Sequence, residues 1–120
     1  MNGQVQVERV GDLVVARICG EPSAELLQQC QDQVLALVRA GAPRRVLYDA
    51  LAMQAPPVDV PWAQRELDEA LDGVALRRAV VVPDSRLAFL ARLAFGDSDY
   101  RVFYEDLDAA VKWLSGDTRA

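Results

Sequence analysis

The chain has 120 residues, a formal net charge of −5 and no histidine. About half of it is hydrophobic (52%) and 26% is charged, which excludes a disordered polymer and allows a buried core without disulfides or metal. The acidic balance, with no basic run longer than two residues, excludes a face that binds nucleic acid by displacing counterions, and the apolar runs are too short to span a membrane.

The elements follow one another in a regular order. Met1-Asn2-Gly3-Gln4 lacks the basic and apolar regions of a signal peptide, so the expected location is the cytoplasm. Gln4 to Glu8 alternates polar and apolar residues, with Val5 and Val7 on one face of a half-exposed edge strand. Gly11-Asp12 gives a tight turn, and Leu13 to Cys19 returns as a more apolar strand. Ser23 is a good N-cap for a helix whose stripe is Leu26, Leu27, Cys30, Val34, Leu37 and Val38, ending at Gly41 before Pro43. Arg45 to Tyr48 is a short strand closed by Asp49.

The segment from Ala50 to Asp59 is more apolar than a connector, with Leu51, Met53, Pro56, Pro57 and Val58. Asp59 is a candidate cap for a second helix, with Pro61 in its first turn and a stripe of Ala63, Leu67, Ala70, Leu71 and Val74. Arg77 to Val82 reads as a strand buried on both faces. Asp84 or Ser85 caps a third helix through Leu87, Leu90, Ala91 and Ala94. A polar turn, Gly96 to Asp99, leads into the strand Tyr100 to Tyr104. Asp106 caps the closing helix, whose stripe is Leu107, Ala110, Val111 and Leu114. Gly116 is placed to end it, and Trp113 and Leu114 are expected to pack it on the sheet.

The order β-β-α-β-α-β-α-β-α predicts one α/β domain over residues 1–120. Its sheet has about five strands, mostly parallel with an antiparallel N-terminal edge strand, and about four helices surround it.

Four pieces give this order a family likeness: the opening hairpin, Arg45-Val46-Leu47-Tyr48-Asp49, Arg78-Ala79-Val80-Val81-Val82-Pro83-Asp84, and Arg101-Val102-Phe103 with Ala109-Ala110-Val111-Lys112-Trp113-Leu114. Trp62 matches a common aromatic position. The chain resembles the SpoIIAA-like superfamily that contains the STAS domains of anti-sigma-factor antagonists. More narrowly, it resembles uncharacterised bacterial STAS-like proteins related to the CRAL-TRIO fold. The resemblance implies a SpoIIAA-like fold and a regulatory role exercised through protein partners. Regulatory STAS domains follow the strand with Asp-Ser, a small residue and Gly, and phosphorylation of that Ser breaks partner binding. Here Asp49 is followed by Ala50, Leu51 and Ala52, and no hydroxyl occurs from Asp49 through Asp59. The phospho-switch is therefore not expected here.

Ligands of open α/β sheets favour the carboxyl ends of the strands. Glu21, Asp49, Asp84, Ser85 and Asp106 would gather there beside the Ala50–Trp62 segment. Three carboxylates on one rim can hold a hard cation, but caps explain Asp84 and Asp106, and no metal or cofactor is expected. Asp49 does not fit a receiver-type phosphoacceptor, because the accompanying acidic pair and lysine are missing. Ser85 has no base: histidine is absent and Lys112, the one lysine, lies inside a helix. Asp68, Glu69 and Asp72 read as a solvated helix face. Cys19 and Cys30 lie in apolar contexts without metal or redox spacing.

The apolar segment is the principal candidate. Leu51, Met53, Pro56, Pro57, Val58 and Trp62 can cover the core, form a protein interface or line a small pocket. The expectation is a non-enzymatic interaction module, homodimeric, with an unidentified protein partner. The alternative is a small carrier or sensor for a lipid or other apolar ligand, with Asp49, Asp84 and Ser85 at the rim.

Overall fold

In a computed structural model, the residues described are 3–56, 59–60, 62, 76–95 and 99–115. They form β1 (Gln4–Val10), β2 (Leu13–Cys19), α1 (Ala24–Arg39), β3 (Arg45–Asp49), β4 (Arg77–Val82), α2 (Ser85–Phe95), β5 (Tyr100–Tyr104) and α3 (Leu107–Ser115). The strands make one five-stranded sheet in the order β1-β2-β3-β4-β5. β1 and β2 pair antiparallel, and the remaining pairs are parallel. This is the predicted mixed sheet. Asp59, Val60 and Trp62 are helical, so Asp59 lies within its helix rather than capping it. There it still complements the positive end of the helix dipole. The predicted stripe Ala63–Val74 and Gly116 lie outside the described residues.

β1 runs two residues beyond the predicted Glu8, because its pairing continues to Val10↔Leu13 at the Gly11-Asp12 turn. Gly11 has φ +58°, the left-handed conformation that a two-residue hairpin turn demands. The end of α1 shows the same use of glycine. Gly41, at φ +107°, follows the C-cap Ala40, and Ala42 N–H returns to Leu37 O at 2.9 Å.

Alternation along the strands divides the core in two. Val14, Ala16, Ile18, Val46, Tyr48, Val80 and Val82 face α1 and α2, where Cys30, Val34, Leu87, Leu90 and Phe95 meet them. Leu13, Leu47, Ala79 and Val81 face the opposite way, under Ala110 and Leu114 of α3. We call these the broad and the narrow face. Among the described residues, the narrow face is covered by nine residues of helix lying on β3, β4 and β5. Trp113 secures that helix, packing at a tilt on Phe103 at 6.0 Å between centroids and lying under the Arg77 guanidinium at 3.8 Å.

Candidate functional site

The carboxyl ends of β2, β3 and β4 carry the rim where the sequence places its candidates. Asp49 closes β3 and is nearly buried, at 7% exposure. Its Oδ2 accepts from Arg17 Nε at 3.1 Å and its Oδ1 accepts from Leu51 N–H at 3.1 Å. The register explains the first contact, since Arg17 on β2 stands opposite Asp49 on β3. The second contact turns the chain sharply after the strand, as Asx side chains do.

The chain beyond Asp49 is pinned by backbone bonds. Ala50 N–H donates to Val81 O at 2.9 Å, and Met53 N–H donates to Ala50 O at 3.1 Å. Gly20 N–H donates to Ala52 O at 3.0 Å, while Gln54 N–H donates to Gly20 O at 2.8 Å. Gly20 and Met53 form an isolated parallel bridge that prolongs the β2–β3 pairing.

This turn sends the predicted residues to two sides of the sheet. Asp49 and Leu51 belong to the narrow face, where Leu51 packs on the second cluster. Met53 and Pro56 cross to the broad face and line a cavity there. Trp62 is half exposed, and Pro57 and Val58 lie outside the described residues. Asp84 accepts from Leu87 N–H at 2.9 Å and is the cap of α2, with Ser85 its first helical residue. Asp106 accepts from Ala109 N–H at 2.9 Å and caps α3. Two of the four rim carboxylates, Asp84 and Asp106, are thus occupied by helix ends, Asp49 is held by Arg17, and Glu21 is exposed. Among the described residues, no group of three or more His, Cys, Asp or Glu is placed to hold a metal ion.

The broad-face cavity is lined by Ile18, Cys30, Tyr48, Met53, Leu87 and Phe95 among others and has a volume of about 80 Å³. It is strongly apolar. Burial pushes the Cys30 thiol from 9.0 up to about 12, so it stays protonated at neutral pH and is no nucleophile. On the narrow face, an open groove of about 490 Å³ runs between the hairpin and α3, past Val10, Val15, Arg17, Asp49, Leu107 and Val111. It exists because α3 does not reach across β1 and β2.

Sequence reasoning missed Arg17, α1 and α2 as cavity walls, and this groove. Arg17 left one signal, as the lone charge in an otherwise apolar strand.

No family model matches the chain, and no curated protein matches it. Solved structures do. An uncharacterised protein of the DUF3478 family from Shewanella loihica PV-4, described as SpoIIAA-like in fold, superposes with a TM-score of 0.64 at 20% identity, over 94% of this chain and 93% of that one. The anti-sigma factor antagonist SpoIIAA in its unphosphorylated form gives 0.58 at 18% identity, over 85% of this chain and 87% of its own. An anti-sigma factor antagonist from Mycobacterium paratuberculosis gives 0.65 at 18% identity, over 95% of each chain. The order of strands and helices, the mixed sheet and these superpositions agree: the chain has the SpoIIAA-like fold.

Proposed function

We propose that this protein is a non-enzymatic, cytoplasmic protein-interaction or regulatory module that works without a serine phospho-switch. The observation that carries the reading is the chain after β3. Ala50 stands buried where a switch hydroxyl would be needed, its N–H is bonded to Val81 O, and a pinned apolar segment follows. That segment leads to Trp62, which is 49% exposed. Two proteins of the same fold are anti-sigma factor antagonists, which supports a protein as the partner. The chain has no histidine, and among the described residues Asp49, Asp84 and Asp106 are engaged in an ion pair and as helix caps, which supports a role without acid–base chemistry. Affinity capture with wild type, Ala52→Asp and Trp62→Asp, both at exposed positions of the segment, tests this. A partner held by wild type and released by both variants, with melting temperatures preserved, is the expected result. Equal capture by all three would sink the reading.

The apolar cavity supports a second reading, a carrier of a small apolar molecule. At about 80 Å³ it is smaller than the ~150 Å³ apolar cavity that accommodates benzene, which favours a molecule of a few carbon atoms over a lipid chain. Native mass spectrometry of protein purified from cells decides this. A retained mass of a few carbon atoms supports the carrier, and clean apo protein excludes it.

A further inference from the structure

The second edge of the sheet carries a feature that the interaction surface after β3 does not use. β5 is Tyr100-Arg101-Val102-Phe103-Tyr104, and among the described residues only β4 pairs with it. The backbone bonds at its two ends fix which groups face outward. Arg78 N–H donates to Asp99 O at 3.1 Å and Glu105 N–H donates to Val82 O at 2.9 Å. With the register Arg78↔Tyr100 through Val82↔Tyr104, a parallel ladder directs the groups of Asp99, Arg101, Phe103 and Glu105 toward β4. The N–H and C=O of Tyr100, Val102 and Tyr104 therefore point away from the sheet.

An open edge of this kind is a template for another strand unless Pro, a bulge or charge blocks it. β5 has neither proline nor bulge, and its one charge is Arg101. The opposite edge differs: β1 carries Glu8 and Arg9 side by side, both exposed, and no aromatic residue. The order of residues in β5 is also close to symmetric about Val102. Tyrosines flank it at both ends, and Arg101 and Phe103 exchange places on reversal.

We infer that β5 pairs antiparallel with β5 of a second copy of this chain, on a two-fold axis through Val102. This surface is separate from the one proposed above, and either reading can fail alone. On that axis Val102 exchanges a pair of hydrogen bonds with Val102 of the partner subunit. Tyr100 exchanges another pair with Tyr104 of the partner subunit, because all three residues present outward groups. Arg101 then stands opposite Phe103 of the partner subunit at a non-hydrogen-bonded position, where side chains approach most closely. The chemistry of that contact already exists within one chain, where the Arg101 guanidinium lies 5.5 Å from the Phe103 ring centroid. The pairing also covers Tyr104, which is 51% exposed in the single chain. An isologous pair closes on itself, whereas β5 against β1 would propagate as a filament. On the narrow face α3 lies mainly over β3 and β4, leaving room beside β5.

The test uses the full chain with Cys19→Ser. Hydrogen-bonded antiparallel partners have Cα atoms about 5.5 Å apart, within the range a disulfide spans. Val102→Cys is therefore expected to cross-link to itself under mild oxidation, and Val7→Cys on β1 is not. In sedimentation, wild type is expected to move toward a dimer as its concentration rises. Val102→Pro, which removes an N–H that β4 does not use, is expected to weaken that association about tenfold or more. Failure of Val102→Cys to cross-link overturns the inference, whether or not Val102→Pro folds. So does a wild type that stays monomeric up to about 1 mM, or a dimer that cross-links through Val7→Cys instead.

Discussion

Replacing Asp49 with alanine removes two contacts of unequal weight. The hydrogen bond from Leu51 N–H ends on a charged, nearly buried acceptor at 3.1 Å, and such bonds contribute about 1.5–3 kcal/mol. The ion pair with Arg17 is also 3.1 Å long, but the Arg17 side chain is 55% exposed, which limits it to about 0.2–1 kcal/mol. Asp49→Ala is therefore expected to lower unfolding free energy by about 2–3 kcal/mol in urea titrations. Asp49→Asn keeps an oxygen for Leu51 N–H but loses the ion pair and the charge that strengthens this bond, so it should cost about 1–2 kcal/mol, less than Asp49→Ala. Arg17→Gln, which leaves the charged acceptor of Leu51 N–H in place, should cost about 1 kcal/mol or less. The reasoning is refuted if Asp49→Asn is as damaging as Asp49→Ala, because the charge and not the turn would then carry the site. It is equally refuted if Asp49→Ala changes stability by less than about 0.5 kcal/mol.

Burial raises the Cys30 thiol from 9.0 to about 12. Between those values the unfolded chain has lost this proton and the folded chain has kept it, so stability falls with rising pH by about 1.4 kcal/mol per unit. Denaturation midpoints of wild type and Cys30→Ala should converge as pH rises above 9.0, and parallel curves would argue against it. In the native state a thiol reagent should titrate Cys19, which is partly exposed, and leave Cys30 untouched. Asp84→Ala and Asp106→Ala each remove a cap and should cost about 0.5–2 kcal/mol. Ser85→Ala should be nearly neutral, because Asp84 already holds the first turn of α2. Glu105 has φ +55° without being glycine. Glu105→Gly should raise the melting temperature by relieving about 1 kcal/mol of strain, and a lower melting temperature would contradict this.

The parts of the fold legible in the sequence are those governed by periodicity and local caps. β2 begins and ends with its apolar run, and β4 ends at Val82 where its own apolar run stops before Pro83. Asp84 stands three residues ahead of Leu87 and Asp106 directly ahead of Leu107, each at the start of an apolar stripe, so their capping role needs no tertiary information. The Arg17–Asp49 pair was not legible because its partners are 32 residues apart and meet only through the register of two parallel strands. Nor was the division of the apolar segment between faces. Alternation alone would keep positions 49, 51 and 53 together, but the turn at Leu51 and Ala52 interrupts it and carries Met53 to the other side. The left-handed Glu105 gave no signal either, since Glu is not a residue that favours that conformation. The groove beside α3 follows from how far one short helix reaches over a sheet.

That short reach has a dynamic consequence. A nine-residue helix is too short to persist by itself in water, so α3 is helical only while it is docked. Undocking and unwinding are then one event, opposed by the burial of Ala110 and Leu114 and the packing of Trp113 between Phe103 and Arg77. The broad face, held by α1 and α2, has a larger apolar cluster to lose. α3 should therefore be the first described helix to open under native conditions, with amide exchange faster than in α1 or β4. Each opening bares Leu13, Leu47, Ala79 and Val81 together, briefly converting a covered sheet into one with an apolar side.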